Sequence, residues 1–246
     1  MKFKNEEEQI KIYRQSLKPN WQKLDFNNTD RGKKKPKPLV CKNYYEGPVF
    51  DLELDIKDLS DKNLYEVVHK RRSLRKYADG KMTPKELAYL CSLTCEIVNF
   101  GPGYGFGVVP SGGAASTLET YLYLYKVEGF EPGIYHYMKD ENQFRLINSK
   151  VTPEQVNHAT SNQLRDAQLI VFWSATPYRS EYKYSFTAHK MIAMEAGHAC
   201  QNLYLASEAI DYGAVAIAAY NQELSDKLLG IGEEEFVIYI AAVGKR

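Results

Sequence analysis

The chain has 246 residues, 44% of them hydrophobic and 13% aromatic, and a net charge of +1, which suits one large domain, or a compact domain with arms, built on a sizeable core. No run approaches the roughly 18 uncharged apolar residues of a membrane span, and the start, MKFKNEEEQ, lacks the apolar stretch of a signal peptide; a soluble, cytoplasmic protein with no membrane contact is expected. Four cysteines, Cys41, Cys91, Cys95 and Cys200, are too few for a disulfide scaffold at this length, so reduced thiols are the default.

Charge is uneven along the chain. Residues 1–37 carry 11 Lys and Arg against 5 Asp and Glu, a net of +6 that leaves the rest at −5. This arm reads as a short helix over 6–18, with Ile10, Tyr13 and Leu17 on one face and Pro19 ending it, followed by the linker GKKKPKP at 32–38. A basic tail of this kind can hold nucleic acid, an acidic peptide or the acidic body of a partner subunit, and otherwise is a mobile, solvated extension. The folded body is expected over 38–246. A first helix carries Leu64, Val67 and Val68 up to Arg71, and Thr83-Pro84-Lys85-Glu86 opens the next as a capping box, with an apolar face running to Ile97 before Gly101-Pro102-Gly103. Between the two helices lies HKRRSLRKY, residues 69–77. Extended backbone there would send Arg71, Ser73, Arg75 and Tyr77 to one side, offering two guanidiniums around a hydroxyl, a donor set that matches a phosphate monoester. A solvated charge run remains the bland reading of the same stretch.

A glycine-rich loop reaches to Ala115. Strands come next at 120–127, then a hairpin of GIYHY and QFRLI, a helix opened by Thr152-Pro153-Glu154-Gln155, and a buried strand at 169–173. The long helix at 187–210 carries a small-residue face of Ala193, Ala196, Gly197 and Cys200. A strand at 214–220, a short helix at 225–229 and a strand at 236–243 close the chain. The elements alternate without regular βαβ spacing, which indicates α+β.

Two loops present backbone with little side chain in front of it. Pro110-Ser111-Gly112-Gly113-Ala114 precedes a buried strand, and Gly213-Ala214 comes after the long helix; each suits the face of a flat ligand. Taken in order, RRSLRKY, PSGGA, EAGHACQNLYLASEAIDYGA and the terminal VGKR resemble the flavin-dependent nitroreductase superfamily, and within it the SagB-type branch that oxidises peptide thiazolines and oxazolines to azoles. The resemblance covers about residues 36–246. It implies an α+β homodimer with a central mixed or antiparallel sheet, helices packed around a long central one, and FMN bound at the subunit interface. By the same resemblance Arg71, Ser73 and Arg75 hold the FMN phosphate with Arg72 close by, Pro110, Ser111, Gly112 and Gly113 lie beside the isoalloxazine, and Gly213 and Ala214 lie on its other side. The family carries a further basic phosphate contact beyond the last strand, and Lys245 and Arg246 are expected to replace it here.

The branch is marked by a lysine-tyrosine pair ahead of E-x-G-H, matched here by Lys183-Tyr184 and Glu195 to His198. That pair is implied to be catalytic, with lysine as the base. Departures are Ser116-Thr117 in place of tyrosine-proline, and Thr187, His189 and Lys190 in place of arginines. The alternatives are an NAD(P)H-dependent nitroreductase or quinone reductase, and a non-catalytic FMN-binding or scaffold protein. The dehydrogenase reading brings with it a cyclodehydratase partner. A third class, a di-iron site from Glu66/His69 and Glu195/His198, needs four long helices, which this strand-rich chain lacks. His198 is then expected in the core.

Overall fold

The computed structural model describes residues 5–42, 46–52, 56, 58–102 and 104–246. Gly103, the end of the Gly101-Pro102-Gly103 stop, lies outside them, as do residues 1–4 of the arm. In chain order the regular elements are α1 (Glu6–Ser16), β1 (Val49–Asp51), α2 (Leu64–Lys70), α3 (Pro84–Thr94), β2 (Ile97–Gly101), β3 (Tyr104–Gly107), β4 (Leu118–Leu124), β5 (Gly133–Met138), β6 (Gln143–Asn148), α4 (Pro153–Ala159), β7 (Leu169–Ala175), α5 (Tyr178–Tyr184), α6 (Ala188–Ala209), β8 (Tyr212–Ile217), α7 (Gln222–Leu229) and β9 (Phe236–Lys245).

Seven strands form one sheet in the order β1-β6-β5-β4-β7-β9-β8, with every described pairing antiparallel. β4 and β7 are buried along their whole length, and the two-residue alternation of a strand sorts their side chains onto two cores. Leu118, Leu122, Leu124, Val171 and Trp173 face the core that also takes residues of α3 and α6. Tyr121, Tyr123, Ile170 and Phe172 face the other, with Val156 of α4 and Leu229 of α7. The expected α+β architecture with a long central helix is therefore present, with α6 running 22 residues.

Local chemistry explains the element starts. Thr83 and Glu86 form the reciprocal capping box with Pro84 in the first turn, and Thr152 with Gln155 repeats it at α4; each satisfies amides that a helix start leaves without a partner. Two expectations need correction. The helix after Thr83 ends at Thr94 rather than reaching Ile97, because Cys95 leaves the helical region (φ −133°). The chain then forms a hairpin, β2 with β3, where a plain glycine-rich loop was expected; glycines at 101, 105 and 107 obscured its strand pattern.

The arm also departs from a mobile, solvated extension. Residues 20–42 lie on the body: the Arg31 amide donates to the Tyr182 carbonyl (2.9 Å), the Tyr182 hydroxyl to the Lys35 carbonyl (2.9 Å), and the Tyr178 hydroxyl to Asp30 (2.9 Å). Val40 and Cys41 pack with Ile97 in a small core of their own. α1, by contrast, buries none of its residues.

Candidate functional site

α2 stops at Lys70, and residues 71–78 run from β8, the last strand of the sheet, to the end of β9. The Leu74 amide donates to the Ala214 carbonyl of β8 and the Ala78 amide to the Lys245 carbonyl of β9, each at 3.0 Å. The first of these contacts explains Gly213: a Cβ there would lie 2.5 Å from the Leu74 side chain. Gly213 and Ala214 thus sit against the basic joint, in register with Gly244 and Val243 of β9.

The joint delivers two of its predicted anion ligands to one place. Ser73 Oγ lies 3.0 Å from the Tyr204 hydroxyl, the Arg71 guanidinium lies over the Tyr204 ring at 5.1 Å from its centroid, and the Ala216 amide donates to the same hydroxyl at 2.8 Å. The others are arranged differently. Arg75 is exposed. Arg72 folds back to donate to the His69 and Arg71 carbonyls. Lys245 stands over the Tyr212 ring, 5.7 Å from its centroid, and Arg246 is ion-paired with Glu208.

A second group of predicted residues is the loop after Pro110. Ser111 donates to Glu195 Oε2 of α6 at 2.6 Å, and the Thr117 amide donates to Glu195 Oε1 at 3.0 Å. One buried carboxylate thereby clamps both ends of the loop to the long helix. Within it Gly112–Ala114 makes one tight turn, and Gly113 has φ +61°. A Cβ on Gly113 would fall 2.1 Å from the Tyr184 hydroxyl, so glycine is needed both for the backbone angle and for the approach of that ring. Lys183 Nζ donates to the Gly113 carbonyl at 2.8 Å. Lys183 is 8% exposed at the end of α5, and burial, aided by the nearby Arg31 and Lys37 cations, lowers its pKa. The Trp21 ring of the arm meets Tyr184 edge to face, with centroids 5.7 Å apart. The structure thus brings Lys183, Tyr184, Gly112 and Gly113 together.

Behind the loop lies a buried charge cluster that the sequence reading missed. Glu119 of β4, fully buried, accepts from Arg179 and lies 3.8 Å from Lys139 and 3.2 Å from His136. Burial alone would raise the Glu119 carboxyl, but Lys139 and Arg179 outweigh it and hold it well below the usual carboxylate range. Lys139 is pushed the other way, downward, by its own burial. Arg179 also donates to the Ser116 carbonyl (3.0 Å) and Lys139 to Ser116 Oγ (2.8 Å), so the cluster fixes the turn that carries the Thr117 amide. With Ser111 and Glu195, Lys139 lines a small recess of about 40 Å³ beside the loop. A glutamate inside the otherwise apolar run LETYLYL was the available signal.

His198 is exposed on α6 rather than in the core. Glu195, its E-x-x-H partner, is engaged by Ser111 and Thr117, and no group of three or more metal-ligating side chains occurs among the described residues. Among the same residues, no helix is long and apolar enough to cross a membrane.

Comparison with known proteins places this geometry. Residues 68–245 match the sequence model of the Nitroreductase family. A protein of Methanocaldococcus jannaschii, provisionally named a nitroreductase, is 27% identical over 197 residues, which make up 79% of this chain and 97% of that protein. Among solved structures, a provisionally named nitroreductase of Anabaena variabilis aligns with a TM-score of 0.66 at 24% identity; the match covers 83% of this chain and 42% of that longer one. A similarly named protein of Ralstonia eutropha aligns at 0.65 and 19% identity, over 85% of this chain and 93% of its own. The Escherichia coli microcin synthetase McbBCD complex with truncated pro-MccB17 bound aligns at 0.61 and 16% identity, over 91% and 83%. These structural likenesses establish a shared fold.

Proposed function

The chain belongs to the Nitroreductase family, and from that premise we propose that it is an FMN-dependent oxidoreductase whose Lys183-Tyr184 pair serves the oxidation of peptide azolines to azoles. The observation that carries this reading is the meeting of Lys183 Nζ and the Tyr184 hydroxyl on Gly113. A buried lysine is thereby held at the loop beside which a planar ring would lie.

The residues present fit the cofactor. Arg71 and Ser73, converging on Tyr204, have the chemistry to bind its phosphate, with exposed Arg75 as a further cation. Pro110, Ser111, Gly112 and Gly113 form the loop the ring would lie beside, with Met191 and Tyr184 packed against the two glycines. FMN, when bound, supplies the hydride acceptor. Lys183, with its pKa lowered by burial and by Arg31 and Lys37, takes the substrate ring proton in its neutral form, and Gly113 orients its amine. Tyr184, held between Gly113 and Trp21, closes that side of the site to water.

A homodimer accounts for the apolar surface one copy leaves open. Leu64, Tyr65 and Val68 of α2, Val98 and Phe106 of the hairpin, and Met194 of α6 are all exposed, and burying them against a second copy would remove that apolar surface from water. Azolines arise by cyclodehydration of cysteine, serine or threonine in a peptide, so the reading places the chain after a cyclodehydratase, which is also its candidate partner.

The second reading is an NAD(P)H-dependent reductase of nitro compounds or quinones, of which only the nitro substrate has support in the name of the Methanocaldococcus jannaschii relative. The test is to load the purified protein with FMN and offer each substrate class. Loss of two hydrogens from an azoline peptide by mass spectrometry, abolished by Lys183→Met or Tyr184→Phe, supports the dehydrogenase. Rapid bleaching by NAD(P)H with quinone turnover, indifferent to both substitutions, supports the reductase, and bound flavin inert to both donors supports a non-catalytic role.

A further inference from the structure

The segment 20–37 lies on α5 at the candidate site, and its links to the body are specific. Asn20 and Asp25 cap its two short turns, Asp30 is held by Lys35 (3.0 Å) and Tyr178 (2.9 Å), the Arg31 amide donates to the Tyr182 carbonyl, and the Tyr182 hydroxyl donates to the Lys35 carbonyl. Lys37 Nζ reaches the Pro102 carbonyl beside the β2–β3 hairpin (3.3 Å). So anchored, the segment sets Trp21, 42% exposed, against Tyr184, whose hydroxyl lies at Gly113.

Its charge is one-sided. The segment carries six lysines and arginines against two aspartates. Both aspartates are engaged locally, Asp25 by Asn27 and Asn28 and Asp30 by Lys35 and Tyr178. Among the described residues Arg31, Lys33, Lys34 and Lys37 are exposed, and no carboxylate pairs with them. Arg31 and Lys37 are near enough to Lys183 to act on its charge. The neighbouring Glu181 is engaged by His189 (2.7 Å).

We propose that residues 20–37 form the substrate-side wall of the site and select a flat, negatively charged substrate, with Trp21 as the stacking surface and Arg31, Lys33, Lys34 and Lys37 as a cationic rim. An exposed indole held by a hydrogen-bonded segment offers a π face at low entropic cost. A rim of one charge sign raises the local concentration of an oppositely charged ligand, an effect that salt removes. The inference deepens the reading of the Lys183-Tyr184 site and rests on it. For an azoline peptide it specifies acidic residues near the ring; for a small oxidant, a carboxylate or sulfonate.

The test uses 4-nitrobenzoate as the anionic probe and 4-nitrobenzyl alcohol as its neutral counterpart, on the full chain with and without FMN. Trp21 and Trp173 are the only two tryptophans, and Trp173 lines the recess beside the loop, so the part of the quenching that Trp21→Ala removes is the part that reports on Trp21. Nitrobenzoate is expected to quench saturably, at least fivefold more tightly than the alcohol, and to weaken as salt rises. By calorimetry, Trp21→Ala and the combined Arg31→Gln, Lys33→Gln, Lys34→Gln and Lys37→Gln variant each weaken nitrobenzoate binding at least fivefold, the latter leaving the alcohol unaffected. Should the combined variant unfold, Lys33→Gln with Lys34→Gln, both exposed, is expected to weaken it about twofold. Equal affinity for the two probes, unsaturable quenching, or charge variants that bind nitrobenzoate like the native chain would overturn the proposal. Flavin absorbance is read separately, so a chain that binds nitrobenzoate but no FMN refutes the flavoenzyme reading and leaves the anion-selective wall standing.

Discussion

Replacing Arg179 with methionine removes a guanidinium that donates both to the buried Glu119 carboxylate and to the Ser116 carbonyl. Glu119 is then left with Lys139 at 3.8 Å and His136 at 3.2 Å, and the turn that holds the Thr117 amide against Glu195 loses a support. Breaking a buried pair by removing one partner costs about 3–5 kcal/mol, because the remaining charge stays desolvated. For a chain of this size each 1 kcal/mol moves Tm by about 2–4 °C, so Tm should fall roughly 6–20 °C at neutral pH. The pH dependence gives a second reading. A carboxyl held below its unfolded value stabilises the fold above that value, near 4.5, and the contribution is lost as pH falls towards the folded-state pKa. With Arg179 gone the Glu119 carboxyl is held down less, so the Tm gap should narrow below about pH 4.5. Adding Glu119→Gln should cost less than the sum of the two single changes, since it removes the stranded charge. Circular dichroism melts across pH measure all of this. A loss under about 1 kcal/mol, or a gap that stays constant as pH falls, would refute the claim that this cluster is a charge-compensated anchor.

Gly113→Ala should lower Tm by roughly 2–8 °C, from about 1–2 kcal/mol of left-handed backbone strain, and should also shift Trp21 emission as Tyr184 is displaced. Gly129→Ala, also at positive φ but with nothing within 4 Å of the added methyl, supplies the strain-only control; identical behaviour of the two would deny the Tyr184 contact. Because burial and the Arg31 and Lys37 cations lower the Lys183 pKa, azole formation should rise with pH to a midpoint below the ordinary lysine value of 10.5. Arg31→Gln with Lys37→Gln removes two of those influences and should move the midpoint upward in a pH-rate profile; an unmoved or lower midpoint contradicts Lys183 as the titrating base.

The parts of this molecule legible in the sequence were those written in local chemistry. Thr83 to Glu86 and Thr152 to Gln155 announce helix starts because the cap, the proline and the returning side chain are adjacent in the chain. β4 and β7 announce themselves by unbroken apolar and aromatic runs. The resemblance singled out Lys183, Tyr184 and Gly113 separately, and no spacing rule would have given their meeting, since it depends on α5 and the loop coming together across about 70 residues. The Glu119 cluster was hidden for the same reason: its members come from β4, β5, the turn after β5 and α5, and each alone looks like an ordinary charged residue. The arm misled because composition reports charge and not contacts; its lysines are solvated, while Trp21, Tyr178 and Tyr182 hold the segment down. The ion pair of Arg246 with Glu208 was hidden as well, for nothing in VGKR indicates that Glu208 lies within reach.

Titration of the purified chain with FMN, monitored by flavin absorbance and fluorescence, tests the central claim most directly. The account predicts saturable binding with a perturbed flavin spectrum, weakened about tenfold to a hundredfold by Arg71→Gln and by Ser73→Ala, as expected when one hydrogen bond to a charged phosphate is lost. A chain that leaves the flavin spectrum unchanged at saturating FMN, or variants that bind it as tightly as the native protein, would contradict it.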